Sequence, residues 1–408
     1  MKTLLLLLLP LLSHAHGTIP DIPPDASSQE YRSRLKALPP KAALDSLDPV
    51  VQAGERNLDW LEHINSFLPE GEKLSFTSKE TQRGIPIDQP NEYNPTLILA
   101  EFIALKNRYP AKMRAVIFEG APFTNTPPIE LKDYIEFSRL LDRSYQSAGR
   151  WRLMQYYLPQ LEGRRKSDIR GVYFLRRLEN RAAKLKNFST LPEKEKIQIQ
   201  EWLAGMCFNG TDYLAACQRE VKSAVDAKSD LNPLYARWLP NASARYDSFF
   251  RIPDYAPRSD FTWETRAGEQ KLVAPFLDPG KNDVRHFVQH NVEEEWKWGE
   301  WKLELPFVQS GLHPYIVFIP GATANVNGLG GATITMDANQ PLTEYDAQWT
   351  IRHEFGHVLG LPDCYVEFYQ ADKQVIVNYQ IDVSNIMCSR RGKVKAENVE
   401  ELKRVYGR

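Results

Sequence analysis

The chain has 408 residues, 42% of them hydrophobic and 25% charged, with a formal net charge of −1. That composition excludes a disordered or collagen-like chain, and the charge balance offers no basic footprint for nucleic acid, so no such partner is expected. Past the N-terminal leader no stretch approaches about eighteen apolar residues, so no membrane span is expected once the leader is removed.

The leader itself is Met1-Lys2, an apolar run from Leu4 to Leu12, and Ser13-His14-Ala15. A charged start, a short apolar core and a small-x-small site predict a secretory signal over residues 1–15, and Pro10 within a short run argues against an anchor. The product is expected to be secreted, or held in a periplasm or lumen. Roughly 390 mature residues exceed what one core usually serves, which predicts two domains. Net charge is about +4 before Tyr255 and about −5 from it onward. A boundary is expected near Arg251-Ile252-Pro253-Asp254-Tyr255-Ala256-Pro257, giving an N-terminal domain over 16–250 and a second over 251–408.

The N-terminal part reads as mostly helical. Tyr134, Phe137, Leu141 and Tyr145 recur at helical spacing, as do Leu175, Leu178, Ala182 and Leu185. Thr190-Leu191-Pro192-Glu193 predicts a capping box with proline at the first helical position. Arg164-Arg165-Lys166 and Arg176-Arg177 read first as a solvated helix face, and second as a contact for an acidic partner or a processing site. The aromatics Trp151, Tyr156 and Tyr157 read as core. Asn187, Asn209 and Asn241 each open an Asn-x-Ser/Thr glycosylation pattern.

The C-terminal part alternates. A helix is expected over Val284 to Trp298, strands over Trp301 to Val308 and Tyr315 to Pro320, and an edge strand over Gly331 to Asp337. Ala324 to Gly331 reads as a flexible glycine-rich loop. A second helix is expected from Glu344 to Leu359, with Thr343 as N-cap and Asp346 completing a capping box. Val399, Leu402 and Val405 suit a closing helix. The whole reads as α+β.

The second helix carries His353-Glu354-Phe355-Gly356-His357. Histidines four apart share one helical face and can hold a single Zn²⁺, with Glu354 turned beside it as a general base. A bare His-Glu-x-x-His is expected by chance about once in a hundred chains of this length and histidine content. Gly360 stands where a left-handed C-cap belongs and Pro362 cannot continue the helix, so the chain turns back and Asp363 becomes the natural third ligand. His286 and His290 are also four apart, but no acidic residue follows in motif spacing, and Glu293 to Glu295 read as a solvated face.

His-Glu-x-x-His-x-x-Gly-x-x-Asp followed by Ser384-Asn385-Ile386-Met387 resembles the metzincin metallopeptidases and their methionine turn. Asp363 stands where most of them carry a third histidine, as in snapalysin-type members, and a carboxylate is a competent zinc ligand. The resemblance covers the last 150 residues or so. It implies a twisted mixed sheet with an edge strand, the metal helix, Met387 beneath the metal and a closing helix. It further implies substrate held along the edge strand, at Ala332, Thr333, Ile334 and Thr335. If one metal site positions both Asp363 and Met387, their neighbours Cys364 and Cys388 pair, and Cys207 then pairs with Cys217. No tyrosine occupies the usual place after the methionine turn, and Tyr365 and Tyr379 are too loosely placed to take it.

The function implied is a secreted zinc endopeptidase acting on protein or peptide, with His353, His357 and Asp363 as ligands of one Zn²⁺ and Glu354 as base. The helical region serves as propeptide or accessory domain. Two alternatives remain: a secreted binding or structural protein with a degenerate or structural metal site, and a zinc amidase acting on cell-wall peptides.

Overall fold

A computed structural model describes residues 19–20, 22–38, 45–79, 84–266 and 268–407, so the expected signal segment lies outside the described residues. The N-terminal two-thirds is helical, and its helices are α1 Ser28–Lys36, α2 Asp48–Asn65, α3 Pro95–Arg108, α4 Ala111–Phe118, α5 Leu131–Met154, α6 Leu158–Arg164, α7 Arg170–Arg177, α8 Arg181–Lys186, α9 Glu193–Phe208, α10 Leu214–Asp226 and α11 Asn232–Asp247. One short strand, β1 Asn91–Tyr93, interrupts them. The remainder mixes β2 Thr262–Arg266, β3 Glu269–Val273, β4 Phe276–Leu277, α12 Asn282–Val288, β5 Lys297–Trp298, β6 Trp301–Glu304, β7 Phe307–Val308, β8 Tyr315–Ile319, β9 Asn325–Val326, β10 Thr333–Asp337, α13 Tyr345–Val358, β11 Tyr365–Gln370, β12 Val375–Gln380 and α14 Ala396–Tyr406.

Several helices form where the sequence signals them. In α5 the periodic Tyr134, Leu141 and Tyr145 are fully buried, and Gly54 lets α2 approach so closely that a Cβ there would lie 2.4 Å from the Tyr145 ring. Two local expectations fail. Leu175 to Leu185 is two helices, because Asn180 takes a left-handed φ of 53° and breaks the run. Pro192 is the N-cap of α9, without a side-chain cap, and Thr190 instead donates to the Asn187 carbonyl at 2.8 Å.

The expected division at residue 250 does not divide the core. One buried cluster runs from Ile169 through the helices α7 to α11 and on to Leu402, while a second joins Leu47 to Leu161 and includes Ile376. Strand pairing crosses the same line: β1 lies antiparallel to β12, with Tyr93 opposite Ile376. Buried charge crosses it too, since Arg150 of α5 donates from Nη2 to Glu367 of β11 at 2.7 Å and Tyr93 donates to the same carboxylate at 3.0 Å. Between and beside the two prolines at 253 and 257, Ile252 and Ala256 are buried in the first of these clusters.

The strands form small sheets: β1-β12-β11 is antiparallel, β4-β7 is parallel, and β2-β3-β6-β5 and β8-β10-β9 are mixed. The parallel β3–β6 ladder carries on into β4–β7 across Pro275 and Pro306, with Ala274 N–H donating to Glu304 O at 2.9 Å and Phe276 N–H to Pro306 O at 3.0 Å. The expected edge strand is corrected: β10 is the centre of its sheet, parallel to β8 and antiparallel to β9. The glycine-rich stretch supplies that covering strand at Asn325–Val326, so it is not a free loop.

Candidate metal centre

The metal helix α13 begins at Tyr345 without the expected local cap. Asp346 accepts from Thr77 of the N-terminal region at 3.1 Å, so a tertiary partner has taken the carboxylate the capping box required. Its end follows the sequence closely. Gly360 has φ +93°, and the Gly360 N–H donates to His357 O at 3.0 Å and the Leu361 N–H to Gly356 O at 2.9 Å, a Schellman motif that reverses the chain. The reversal carries Asp363 back beside the helix.

His353, His357 and Asp363 converge, with one ligand atom from each lying within 4.8 Å of the others. The Asp363 Oδ1 is 3.1 Å from His353 Nε2 and 3.3 Å from His357 Nε2. Each ring's other nitrogen is committed to backbone: His353 Nδ1 donates to Ile386 O at 2.7 Å and His357 Nδ1 to Leu361 O at 2.9 Å. Those two carbonyls fix the rings and direct both Nε2 atoms to one point, as outer partners of metal-ligating histidines do.

Burial opposes a charged His357, yet the adjacent Asp363 carboxylate outweighs it and pushes His357 up to about 10. Asp363 is likewise held well below the usual carboxylate range, its burial overcome by the two imidazoles. A carboxylate placed against two imidazole nitrogens demands positive charge between them, and a divalent cation supplies it when the nitrogens are unprotonated. The donor set therefore fits a metal ion.

Glu354 is 3% exposed. Burial pushes its carboxyl up, only partly offset by the charges of His357, His353 and Arg390. Met387 packs against α13 at Gly356, where an added Cβ would fall 2.1 Å from its Sδ. The turn carrying it is built by Asn385, fully buried, whose Oδ1 accepts from Met387 N–H at 2.9 Å. Disulfides join Cys364 to Cys388 and Cys207 to Cys217. Cys364 N–H also donates to Met387 O at 3.0 Å, so the ligand-bearing turn and the methionine turn are tied twice.

Other expected residues lie elsewhere or are occupied. Ile334 and Thr335 pair with Val326 and Asn325 on one side and with Ile316 and Val317 on the other. Ala332 O accepts from Tyr315 N–H at 2.8 Å, and Thr333 N–H donates to Asn327 Oδ1 at 2.9 Å. These four therefore present no open strand edge for a substrate. The helix expected over Val284 to Trp298 ends in a wide turn at Gln289–Glu293. His290 pairs with Glu294 at 3.0 Å on the surface, and the one group of three metal-ligating side chains found among the described residues is that of His353. Glu295, read as solvated, instead accepts from Arg352 of α13 at 2.7 Å and Lys393 at 2.6 Å. Tyr379 donates to Asp168 at 2.9 Å, away from the metal group. A cavity of about 790 Å³ between α7, α9, α10 and the β11–β12 hairpin shares no lining residue with the metal group.

Sequence reasoning missed Trp296, whose indole donates to Arg352 O of α13 at 2.9 Å, and Arg390, bound to Glu30. Arg390 stands three residues after Met387, but nothing local marks a partner 360 positions away. Compared with models of known protein families, with curated proteins and with solved structures, the chain has no significant match.

Proposed function

We propose that the chain is a secreted zinc-dependent endopeptidase of metzincin type. The observation that carries this reading is the convergence of two imidazole Nε2 atoms and the Asp363 carboxylate beside buried Glu354, with both Nδ1 atoms locked to backbone. Two histidines and a carboxylate are a donor set typical of catalytic zinc, and a purely structural site has no use for a buried general base next to its ligands. The two disulfides favour an oxidising compartment, and no described helix is long and apolar enough to cross a membrane.

His353, His357 and Asp363 hold the ion, which when bound acidifies water and polarises a carbonyl. A Glu354 carboxylate oxygen takes a proton from the attacking water as the new C–O bond forms, and delivers it to the amine nitrogen as the C–N bond then breaks. Met387 and Trp296 support α13 from behind, and the Cys364–Cys388 bridge sets the distance between the two turns.

The test is Glu354→Gln against wild type, with casein or peptide hydrolysis and metal analysis on both. Zinc content is expected to be equal while hydrolysis falls by about 10² to 10⁴. Equal activity in the two proteins overturns the enzyme, and absence of zinc from the wild type overturns the site.

A further inference from the structure

The residues after Met387 carry hydrogen-bond donors that the proposed reaction does not use. Arg390, 3% exposed, donates from Nη1 and Nη2 to the two carboxylate oxygens of Glu30 at 2.9 and 2.8 Å. The Ser389 hydroxyl and the Arg390 N–H both donate to Asp25 Oδ2, at 3.1 and 2.9 Å. Arg390 Nε is buried with no partner among the described residues. Four donors on two consecutive residues thus read two carboxylates, and both carboxylates come from one stretch, Asp25 to Glu30.

This cluster adjoins the metal group. Ile386 O, four residues earlier, anchors His353, and Cys388 is bonded to the neighbour of Asp363. Glu354 is close enough for the Arg390 charge to act on it. The same N-terminal segment reaches the other side as well, where Arg34 of α1 donates to Thr323 Oγ1 at 2.5 Å, just before β9. The loop after β9 returns to α13 through Gly330 N–H, which donates to His357 O at 2.7 Å. So α1 contacts both the stretch after the methionine turn and the segment before β9, and His353 and Glu354 are 1% and 3% exposed.

A buried Arg–Glu pair by itself contributes to a fold without any ligand. Here it is part of a paired, guanidinium-and-backbone reading of carboxylates, the geometry by which proteins recognise carboxylate ligands, on the turn whose Ile386 carbonyl anchors His353. We propose that Arg390 and Ser389 form a carboxylate-binding subsite of that centre, filled in this conformation by Glu30 and Asp25 of the chain's own N-terminal segment. The peptide taken there presents an acidic side chain or a free C-terminal carboxylate. This rests on the peptidase reading. The seated segment competes with acidic peptide for these donors.

The test uses the full chain loaded with zinc, as wild type, Glu30→Gln and Asp25→Asn. The first readout is the rate at which dipicolinate strips zinc, expected to rise about tenfold or more in both variants as the segment loosens. The second is anisotropy of labelled peptides differing only by Glu against Gln, or by a C-terminal acid against an amide. Glu30→Gln is expected to bind one acidic form about tenfold more tightly than its neutral mate, and whichever form does so identifies the source of the carboxylate. Adding Arg390→Gln is expected to abolish that preference. Unchanged stripping rates and no discrimination overturn the subsite, and if Glu30→Gln fails to fold, Asp25→Asn decides on the stripping rate because it leaves the ion pair intact. Hydrolysis by wild type with no change in either readout removes this proposal alone. Faster stripping and acidic preference without hydrolysis in any protein remove the peptidase reading and leave the subsite.

Discussion

Met387 sits directly behind Gly356, so close that any side chain at 356 must displace it: an added Cβ would meet Sδ at 2.1 Å, Cε at 2.8 Å and Trp296 Cζ2 at 3.1 Å. The glycine between His353 and His357 is thus a packing requirement of the turn that carries Met387. Helix propensity alone favours alanine there by about 1 kcal/mol, but overpacking a buried site costs about 1–3 kcal/mol. Gly356→Ala is expected to lower stability by about 1 kcal/mol net and to weaken metal binding, read by urea unfolding and zinc titration. Met387→Ala in the same chain gives the methyl room, so the double variant is expected to be more stable than the sum of the two single losses predicts. Strict additivity refutes the contact.

The Cys364–Cys388 bridge closes 24 residues and joins the neighbours of a ligand and of the methionine. Chain-entropy reasoning assigns a loop of that length about 3 kcal/mol. Cys364→Ser with Cys388→Ser is expected to lose about that much and also to bind zinc more weakly, because Asp363 and Met387 are then positioned by backbone hydrogen bonds alone. Removing Cys207–Cys217, which closes 10 residues between α9 and α10, is expected to cost stability without touching zinc affinity. Equal effects of the two removals on zinc would show that the first bridge has no special link to the metal group.

Asp363 is the residue on which this site departs from three histidines. With it gone, His353 and His357 lose the carboxylate that faces both Nε2 atoms. Asp363→Ala is expected to reduce zinc affinity by more than about 100-fold, exceeding the usual effect of an outer partner. Asp363→His is expected to retain part of it, since an imidazole is also a zinc donor. Full affinity in the alanine variant would place the third ligand on another residue.

What could be read from the residues alone was governed by range. His353, Glu354, His357, Gly360 and Asp363 lie within one helix and its cap, where spacing translates directly into geometry. The partners of Cys364 and Cys388 followed once the two turns were assigned to one ion. The cap of α13 was misread because Asp346 found Thr77, 269 positions away, instead of the local backbone. The edge strand was misread because a two-residue strand, Asn325–Val326, is too short to leave a periodic signal among glycines. Charge and prolines change near 250, whereas buried contacts that cross that position, such as Tyr93–Glu367 and Arg150–Glu367, leave no local pattern in the sequence.

The buried ion pair of Glu30 with Arg390 sets an acid dependence. Burial alone would raise the Glu30 carboxyl, but the Arg390 charge and its hydrogen bonds outweigh that and leave Glu30 below its ordinary value of 4.5. A depressed folded value means the unfolded chain binds the proton more readily, so Glu30 contributes its stability above about pH 4.5 and loses it as pH falls through the lower folded value. Breaking one partner of a buried pair costs about 3–5 kcal/mol, so Glu30→Gln is expected to be less stable than wild type by that order at pH 7. Protonated glutamate and glutamine are both neutral, so the gap should narrow as the pH is lowered below about 4.5. Urea unfolding of both proteins across that range measures it. A gap that stays constant into acid would mean that the loss comes from packing around residue 30 and not from the charge pair.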